Sequence, residues 1–337
     1  MITIRDVAKR LNLSITTVSR ALDNYADVAA ETRDLVVRTA GEMGYTPNRA
    51  ARQLRRQRAE AIGYILPADK PRFADAFFSE FMAGLGDEVS AHNYDLLVSS
   101  APSSSAQEQT LYRRWTQAGK IDGIILNRIR LQDWRVQYLE AQEMPFVALE
   151  RSLDAANFVG IETGSQEGLL KVMAHLTGLG HTRIAYIGGP AELKIEYDRC
   201  AGYHAGLAVA GLVVDPELVV RGDLTPASGY LAAQTLLILD RRPTAIVCIN
   251  DSTAVGAMRA ARDGGLEVGR DIAVAGFDGT FSSAYTQPPL TTLQQPVYAL
   301  ARQLVEMLLA RIGGRELSEK RILVGPELLV RASTTGG

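Results

Sequence analysis

The chain has 337 residues, 47% of them hydrophobic, with 36 Lys+Arg against 38 Asp+Glu and a formal net charge of −2. That length exceeds one small core and suits two or three domains of ordinary globular composition. Two cysteines without CxxC spacing argue against a disulfide framework or a structural zinc, and there is neither a run of about 18 apolar residues nor a basic-then-apolar leader, so the expected compartment is the cytoplasm.

The near-zero charge hides an asymmetry. Residues 1–58 carry 11 Lys+Arg and 6 Asp+Glu, whereas the remainder carries 25 and 32. A basic head on an acidic body implies that only the head meets a polyanion.

In chain order, Thr3 is placed to cap a helix over 4–11 with Val7, Ala8 and Leu11 on one face. Ser14 caps a second over 15–22 with Val18 and Leu22 inward. A third, from Ala30 to Met43, carries Leu35, Val36, Thr39 and Met43 at helical spacing and stops before Gly44. Three short helices with a tight turn between the first two match helix-turn-helix geometry. That geometry explains why the second helix bears Ser14, Thr16, Thr17 and Ser19, all poor helix formers. Its N-terminal end reaches major-groove base edges, where Ile15 and Thr16 stand, with Arg20 one turn later to bond guanine bidentately. Thr3, Ser14, Thr17, Ser19 and Asn24 suit phosphate oxygens, which set position without reading sequence.

The stretch 46–58, TPNRAARQLRRQR, holds five arginines and no acid. It is made of helix formers but is too short to be stable alone, so it is expected to be frayed in isolation and helical on DNA.

From Ala61 the pattern becomes alternating α/β. AIGYILP, YDLLVSSA, GIILN, PFVALE, FVGIE, RIAYIGG, AIVCIN and IAVAGFD read as buried parallel strands. FFSEFMAGLGDEVSAH, SQEGLLKVMAHLTGLG, RCAGYHAGLAVAG and STAVGAMRAARDGG read as helices between them. The halves 61–161 and 165–290 repeat this grammar. TTLQQPVYALARQLVEMLLARIGG then returns to the first lobe, and ILVGPELLVRAST closes with strands. Ligands of such sheets bind beyond the carboxyl ends of the strands. Glu150 and Arg151, Arg199, Asn250 and Asp278 stand at such ends. Asp251 is read as a structural cap of its helix, and Leu224 and Tyr197 are weaker ligand candidates.

DVAKRLNLSITTVSRALDN followed by VAAETRDLVVRTAGEMGYTPNRAARQL closely resembles the head of the LacI/GalR transcriptional regulators, with DVA, S-x-x-TVSR, ETR, GY-x-PN and A-x-x-L in order. The body resembles the periplasmic-binding-protein-like core of the same family through IDGII, GH-x-RIAYIGG, R-x-x-GY, PTAIVCIND, VAGFD and PPLTT-x-x-QP. The resemblance implies an α/β protein: an N-terminal all-α helix-turn-helix domain (1–47), a hinge helix (48–59), and a body of two doubly wound parallel-sheet lobes. These are 60–162 with 291–323, and 163–290 with 324–337. It implies hinge helices that enter the minor groove as a pair, with Leu54 wedged between base steps and Asn48, Ala51 and Arg52 lining the groove. It also implies effector contacts by Arg199 and Asp278 and ligand stacking at Phe77 or Phe78, one of the two being taken by the core.

Purine-type members carry an aromatic residue where this chain has Arg151, and basic or hydroxyl residues in place of Leu193 and Ile195. A sugar or sugar derivative is therefore favoured over a purine, with Arg151 leaving an anionic ligand open. The expected protein is a repressor that binds a palindromic double-stranded DNA operator as a homodimer, or as a tetramer built from dimers. Its dimer face comes from FMAGLGDEVSAH, TLYRRWTQAG and outer helices of the second lobe. The alternative is the same architecture controlled by a protein partner or a non-sugar metabolite. Four scattered histidines and the lack of HExxH, GxGxxG, GxxxxGK[ST] and GxSxG point away from an enzyme, a metal or a cofactor.

Overall fold

The computed structural model describes residues 2–23, 25, 27–45, 58–68, 76–153 and 159–336. It divides into two compact units, Met1–Ala59 and Glu60–Gly337.

The first unit holds α1 (Ile4–Leu11), α2 (Ile15–Leu22) and α3 (Ala30–Glu42). Local chemistry sets each end. The Asp6 carboxylate accepts from the Thr3 backbone N–H at 2.8 Å, and the Ser14 hydroxyl accepts from Thr17 N–H at 2.9 Å. Asn12 reverses the chain in left-handed conformation (φ 52°), and Gly44 follows α3 at φ 67°. Val7, Ala8, Val18, Ala21, Val28, Val36 and Ala40 form the core. Leu35, expected on the inner face of α3, is 40% exposed instead, because Val36 and Ala40 occupy that face.

The second unit contains two six-stranded sheets. The first takes β1 (Ala61–Pro67), β2 (Asp95–Ala101), β3 (Gly123–Leu126), β4 (Phe146–Leu149), β5 (Gly160–Glu162) and β11 (Arg321–Leu323), in the order β11-β5-β4-β3-β1-β2, all parallel. The second takes β6 (Ile184–Gly188), β7 (Val219–Arg221), β8 (Ala245–Cys248), β9 (Ala273–Asp278), β10 (Thr291–Gln294) and β12 (Glu327–Leu329), in the order β12-β10-β9-β8-β6-β7, parallel except for β12. The five leading strands of each lobe share one order, so each sheet has its switch point in the same place, between its first and third strands.

Helices α4 (Ala76–Ala91), α5 (Ala106–Gln117) and α6 (Trp134–Ala141) belong to the first lobe; α7 (Ser165–Gly178), α8 (Lys194–Val209), α9 (Pro226–Leu237) and α10 (Asp251–Asp263) belong to the second. α11 (Val297–Ile312) crosses back to pack on α4, placing Leu300, Leu304 and Leu308 in the first-lobe core with Phe81 and Leu85. The chain ends with α12 (Ala332–Thr335).

Further readings of the sequence change. The strand β7 was not recognised, since three residues with one exposed give too little apolar pattern. Residues 291–294, assigned to the returning segment, pair with β9 in the second sheet, so the crossing falls after Gln294. No helix among the described residues is long and apolar enough to cross a membrane.

Candidate functional site

On the first unit, Ile15 (44% exposed) and Thr16 project from the N-terminal end of α2 into solvent, where an apolar side chain has no folding role. Ser14 and Thr17 share a hydroxyl–hydroxyl hydrogen bond at 2.8 Å, and the Thr3 hydroxyl donates to Asp6 at 2.7 Å. All three therefore stand at helix entrances, exposed or half-buried, and Ser19 is half-buried one turn on. The Arg20 guanidinium binds Asp27 and lies over the Tyr25 ring, 4.8 Å from the centroid. Asn24, Asn48, Ala51, Arg52 and Leu54 lie outside the described residues.

In the second unit a cleft of about 700 Å³, counting its open mouth, lies between the lobes at the carboxyl ends of both sheets. The first lobe contributes a mainly apolar wall: Tyr64, Leu66 and Pro67 from β1, Leu149 from β4, and Phe77 with Phe78 from the first turn of α4. Both phenylalanines line it. Phe77 stacks on the core residue Phe81 at 6.1 Å and Phe78 on Tyr64 at 6.3 Å, yet both stay half-buried at the cleft. The second lobe contributes Arg199, Asn250, Asp278 and Gln295 beside Ile195 and Leu224.

Four lining residues have left-handed backbone: Arg128 (φ 52°), Glu150 (74°), Leu224 (69°) and Asp278 (117°). Such strain in non-glycine residues gathers where a fold aims side chains at a ligand. One edge of the cleft is tied by an antiparallel bridge between Arg130 and Leu193, with Leu131 N–H donating to Glu192 C=O at 2.8 Å and Lys194 N–H to Ile129 C=O at 2.9 Å.

Arg199 is buried inside the second turn of α8 rather than opening the helix, because α8 starts at Lys194. It stacks on Phe277 at 3.5 Å, donates to Ile249 C=O and to the Ser165 hydroxyl, and has one terminal nitrogen 3.7 Å from Asp278. Arg199 and Asp278 sit in the same lobe, so their pairing orients the floor and does not bridge the cleft. Glu150, on the opposite lobe, is buried; burial raises its carboxyl above the usual carboxylate range, against the N–H and hydroxyl of Thr163 and the charge of Arg199.

The cap of α10 is Asn250, whose oxygen accepts from Thr253 N–H at 2.8 Å, and not Asp251. Asp251 is buried beneath, accepting from the N–H and hydroxyl of Thr280, both at 2.8 Å, and from Thr292; burial pushes its carboxyl up to about 6. Arg151 departs from its expected place: it faces Glu162 at 3.8 Å, on which Arg321 also closes, instead of joining the lining. Tyr197 is likewise turned out, half-exposed under the Lys194 ammonium. Asn127, Arg128, Thr163 and Gln295 enter the lining without having been expected there. PPLTT-x-x-QP contained the signal for Gln295, and IDGII stood just ahead of Asn127.

Comparison with known proteins agrees with this architecture. Residues 3–48 match the family model for bacterial regulatory proteins of the lacI family, and residues 173–334 match a periplasmic binding protein-like domain. The HTH-type transcriptional regulator AglR of Rhizobium meliloti (strain 1021) is 33% identical over 337 residues, covering 99% of this chain and 94% of that protein. The lac repressor dimer bound to operator and the anti-inducer ONPF superposes with a TM-score of 0.85 at 30% identity, over 99% of both chains. The transcriptional regulator CelR in complex with cellobiose gives 0.76 at 27% identity, over 99% of this chain and 100% of that one. A helix-turn-helix head and a two-lobed binding body in one chain, matched along nearly its whole length, mean that this protein belongs to the LacI family of bacterial transcriptional regulators, which are not enzymes.

Proposed function

We propose that the protein is an effector-responsive repressor that binds a palindromic operator as a homodimer in the cytoplasm and senses a sugar or sugar derivative in the cleft between its lobes. The carrying observation is the cleft itself: a polar floor of Arg199, Asp278 and Asn250 faces an aromatic wall of Phe77 and Phe78. A sugar has hydroxyl edges for the first and an apolar face for the second. The solved relatives described as a dimer on operator and as a cellobiose complex support both halves of this reading. Ile15, Thr16 and Arg20 read bases. Thr3, Ser14, Thr17, Ser19 and Asn24 bind phosphates. The hinge (48–59) pairs with that of a second copy, Asn48, Ala51 and Arg52 lining the minor groove around Leu54. The effector changes the relation of the lobes and so the spacing of the two hinges, a coupling of about 1–3 kcal/mol being enough for a switch.

Selection of duplexes from a random library, repeated with and without neutral sugars, tests the whole reading. A palindrome whose enrichment changes with one sugar is expected. No preference over random fragments would overturn it. On the selected duplex, Leu54→Ala is expected to reduce bending and specific affinity together, and undiminished bending would remove the wedge.

A further inference from the structure

We propose that the cleft admits an uncharged, hydroxyl-rich effector and rejects its phosphorylated or carboxylated counterparts, with Gln295 as the residue that enforces the choice. The proposal rests on the cleft being the effector site, and it narrows the ligand class that site accepts.

Gln295 follows β10, is 5% exposed and lines the cleft. Its side-chain N–H donates to the Asp278 carboxylate at 3.0 Å. A carboxylate only accepts, so the amide is locked with nitrogen towards Asp278. The amide oxygen is left buried with no hydrogen-bond partner among the described residues. An orphaned buried acceptor is costly, and a donor from a bound ligand relieves that cost. A hydroxyl supplies one. A phosphate dianion or a carboxylate set against the same oxygen supplies only further acceptors, so the bias falls on the charged group placed there and not on the hydroxyls that a charged ligand keeps elsewhere.

The neighbouring groups deepen the bias. The Ile249 carbonyl, the Ser165 hydroxyl and the Phe277 ring hold the Arg199 guanidinium through Nη1 and Nε, so it has only its other terminal nitrogen, 3.7 Å from Asp278, to turn to a ligand and no fork for a bidentate clamp on an anion. Asn250 is committed at both ends, accepting from Thr253 N–H and donating to Leu224 C=O at 3.2 Å. Among the described lining residues the formal charges cancel, Arg128 and Arg199 against Glu150 and Asp278. Arg151, the cation that would have tipped the balance, is turned to Glu162. An anionic ligand would therefore bring an uncompensated charge into a partly desolvated site and set it against acceptors.

The test is calorimetry on the full chain with matched probes: D-glucose, D-ribose, maltose and trehalose against glucose 6-phosphate, ribose 5-phosphate, trehalose 6-phosphate and glucuronate. At least one neutral probe is expected to bind at least 100-fold more tightly than its charged counterpart. In Gln295→Met, which keeps the shape and loses the acceptor, that ratio should fall at least tenfold. A charged probe that binds as well as its neutral partner, binding by charged probes alone, or silence from every neutral probe overturns the proposal, and a ratio unchanged in Gln295→Met removes Gln295 from the role. Asp278→Ala separates the two levels. Binding that survives it lies outside the cleft and defeats the site reading, whereas charged-probe binding that it abolishes defeats the selectivity alone.

Discussion

The guanidinium of Arg20 is closed on the carboxylate of Asp27 and stacked against the ring of Tyr25. Both partners of the ion pair are open to water, at 43% and 56% side-chain exposure. An exposed pair of that kind contributes about 0–1 kcal/mol, whereas a bidentate contact to guanine is worth about 1–3 kcal/mol. In the base-reading role proposed for Arg20, a contact to guanine exceeds the pair with Asp27, and Asp27 holds the side chain in the free protein. Arg20→Ala is expected to lower discrimination between cognate and altered half-sites by about tenfold or more while binding stays salt-dependent. Asp27→Ala should raise non-specific affinity and leave the preferred sequence intact. Binding-site selection with salt titration measures both, and an unaltered preference in Arg20→Ala assigns the readout elsewhere.

Asp278 ends β9 at φ 117° and takes the side-chain N–H of Gln295, with a nitrogen of Arg199 at 3.7 Å. It organises the floor of the cleft. Asp278→Ala should keep operator binding and lose the response to effector, as read by fluorescence anisotropy on labelled operator with increasing sugar. A response of ordinary size in the variant places the effector elsewhere.

Glu150 gives a pH signature. Its native-state pKa lies above the value of an ordinary carboxyl because burial disfavours the charge more than Thr163 and Arg199 favour it. A raised pKa means that protonation stabilises the native state. The full contribution is present at pH below the unfolded value of about 4.3 and is lost as pH rises through the native value. Glu150→Gln keeps an acceptor for Thr163 and carries no charge. Its denaturation midpoint should match or exceed that of the parent at pH 8, and the difference should move towards the parent as pH falls to about 4. A variant that is least stable relative to the parent at pH 8 contradicts this assignment.

The crossing of α9 and α10 depends on two glycines. A Cβ on Gly256 would stand 2.0 Å from the Pro226 carbonyl oxygen, and one on Gly229 would stand 2.2 Å from that of Thr253. Backbone cannot yield as a flexible side chain does, so Gly256→Ala should cost about 1–3 kcal/mol or more. Gly178, at the end of α7, meets nothing within 4 Å, and Gly178→Ala should be neutral or stabilising by up to about 1 kcal/mol. Urea midpoints of the two variants distinguish packing from propensity; equal effects would refute the close crossing.

Much of this protein is written in short-range chemistry. Ser14 accepts the N–H three residues on, Thr3 pairs with Asp6, and apolar runs such as AIVCIN become buried strands because every side chain in them avoids water. The head, the eight main strands and the choice of Arg199 and Asp278 as cleft residues were legible from such patterns. Tertiary structure alone decided which sheet receives Thr291–Gln294, that both Phe77 and Phe78 reach the cleft, that Arg151 turns to Glu162, and that Gln295 leaves an acceptor buried. Those outcomes depend on partners from other elements: Gly276 lies opposite Thr292 in the second sheet, Glu162 faces Arg151, and Asp278 dictates which way the Gln295 amide faces. A side chain's local propensity is carried by its neighbours in the chain. Its direction at a strand end is set by which long-range charge or hydrogen-bond partner folding brings within reach.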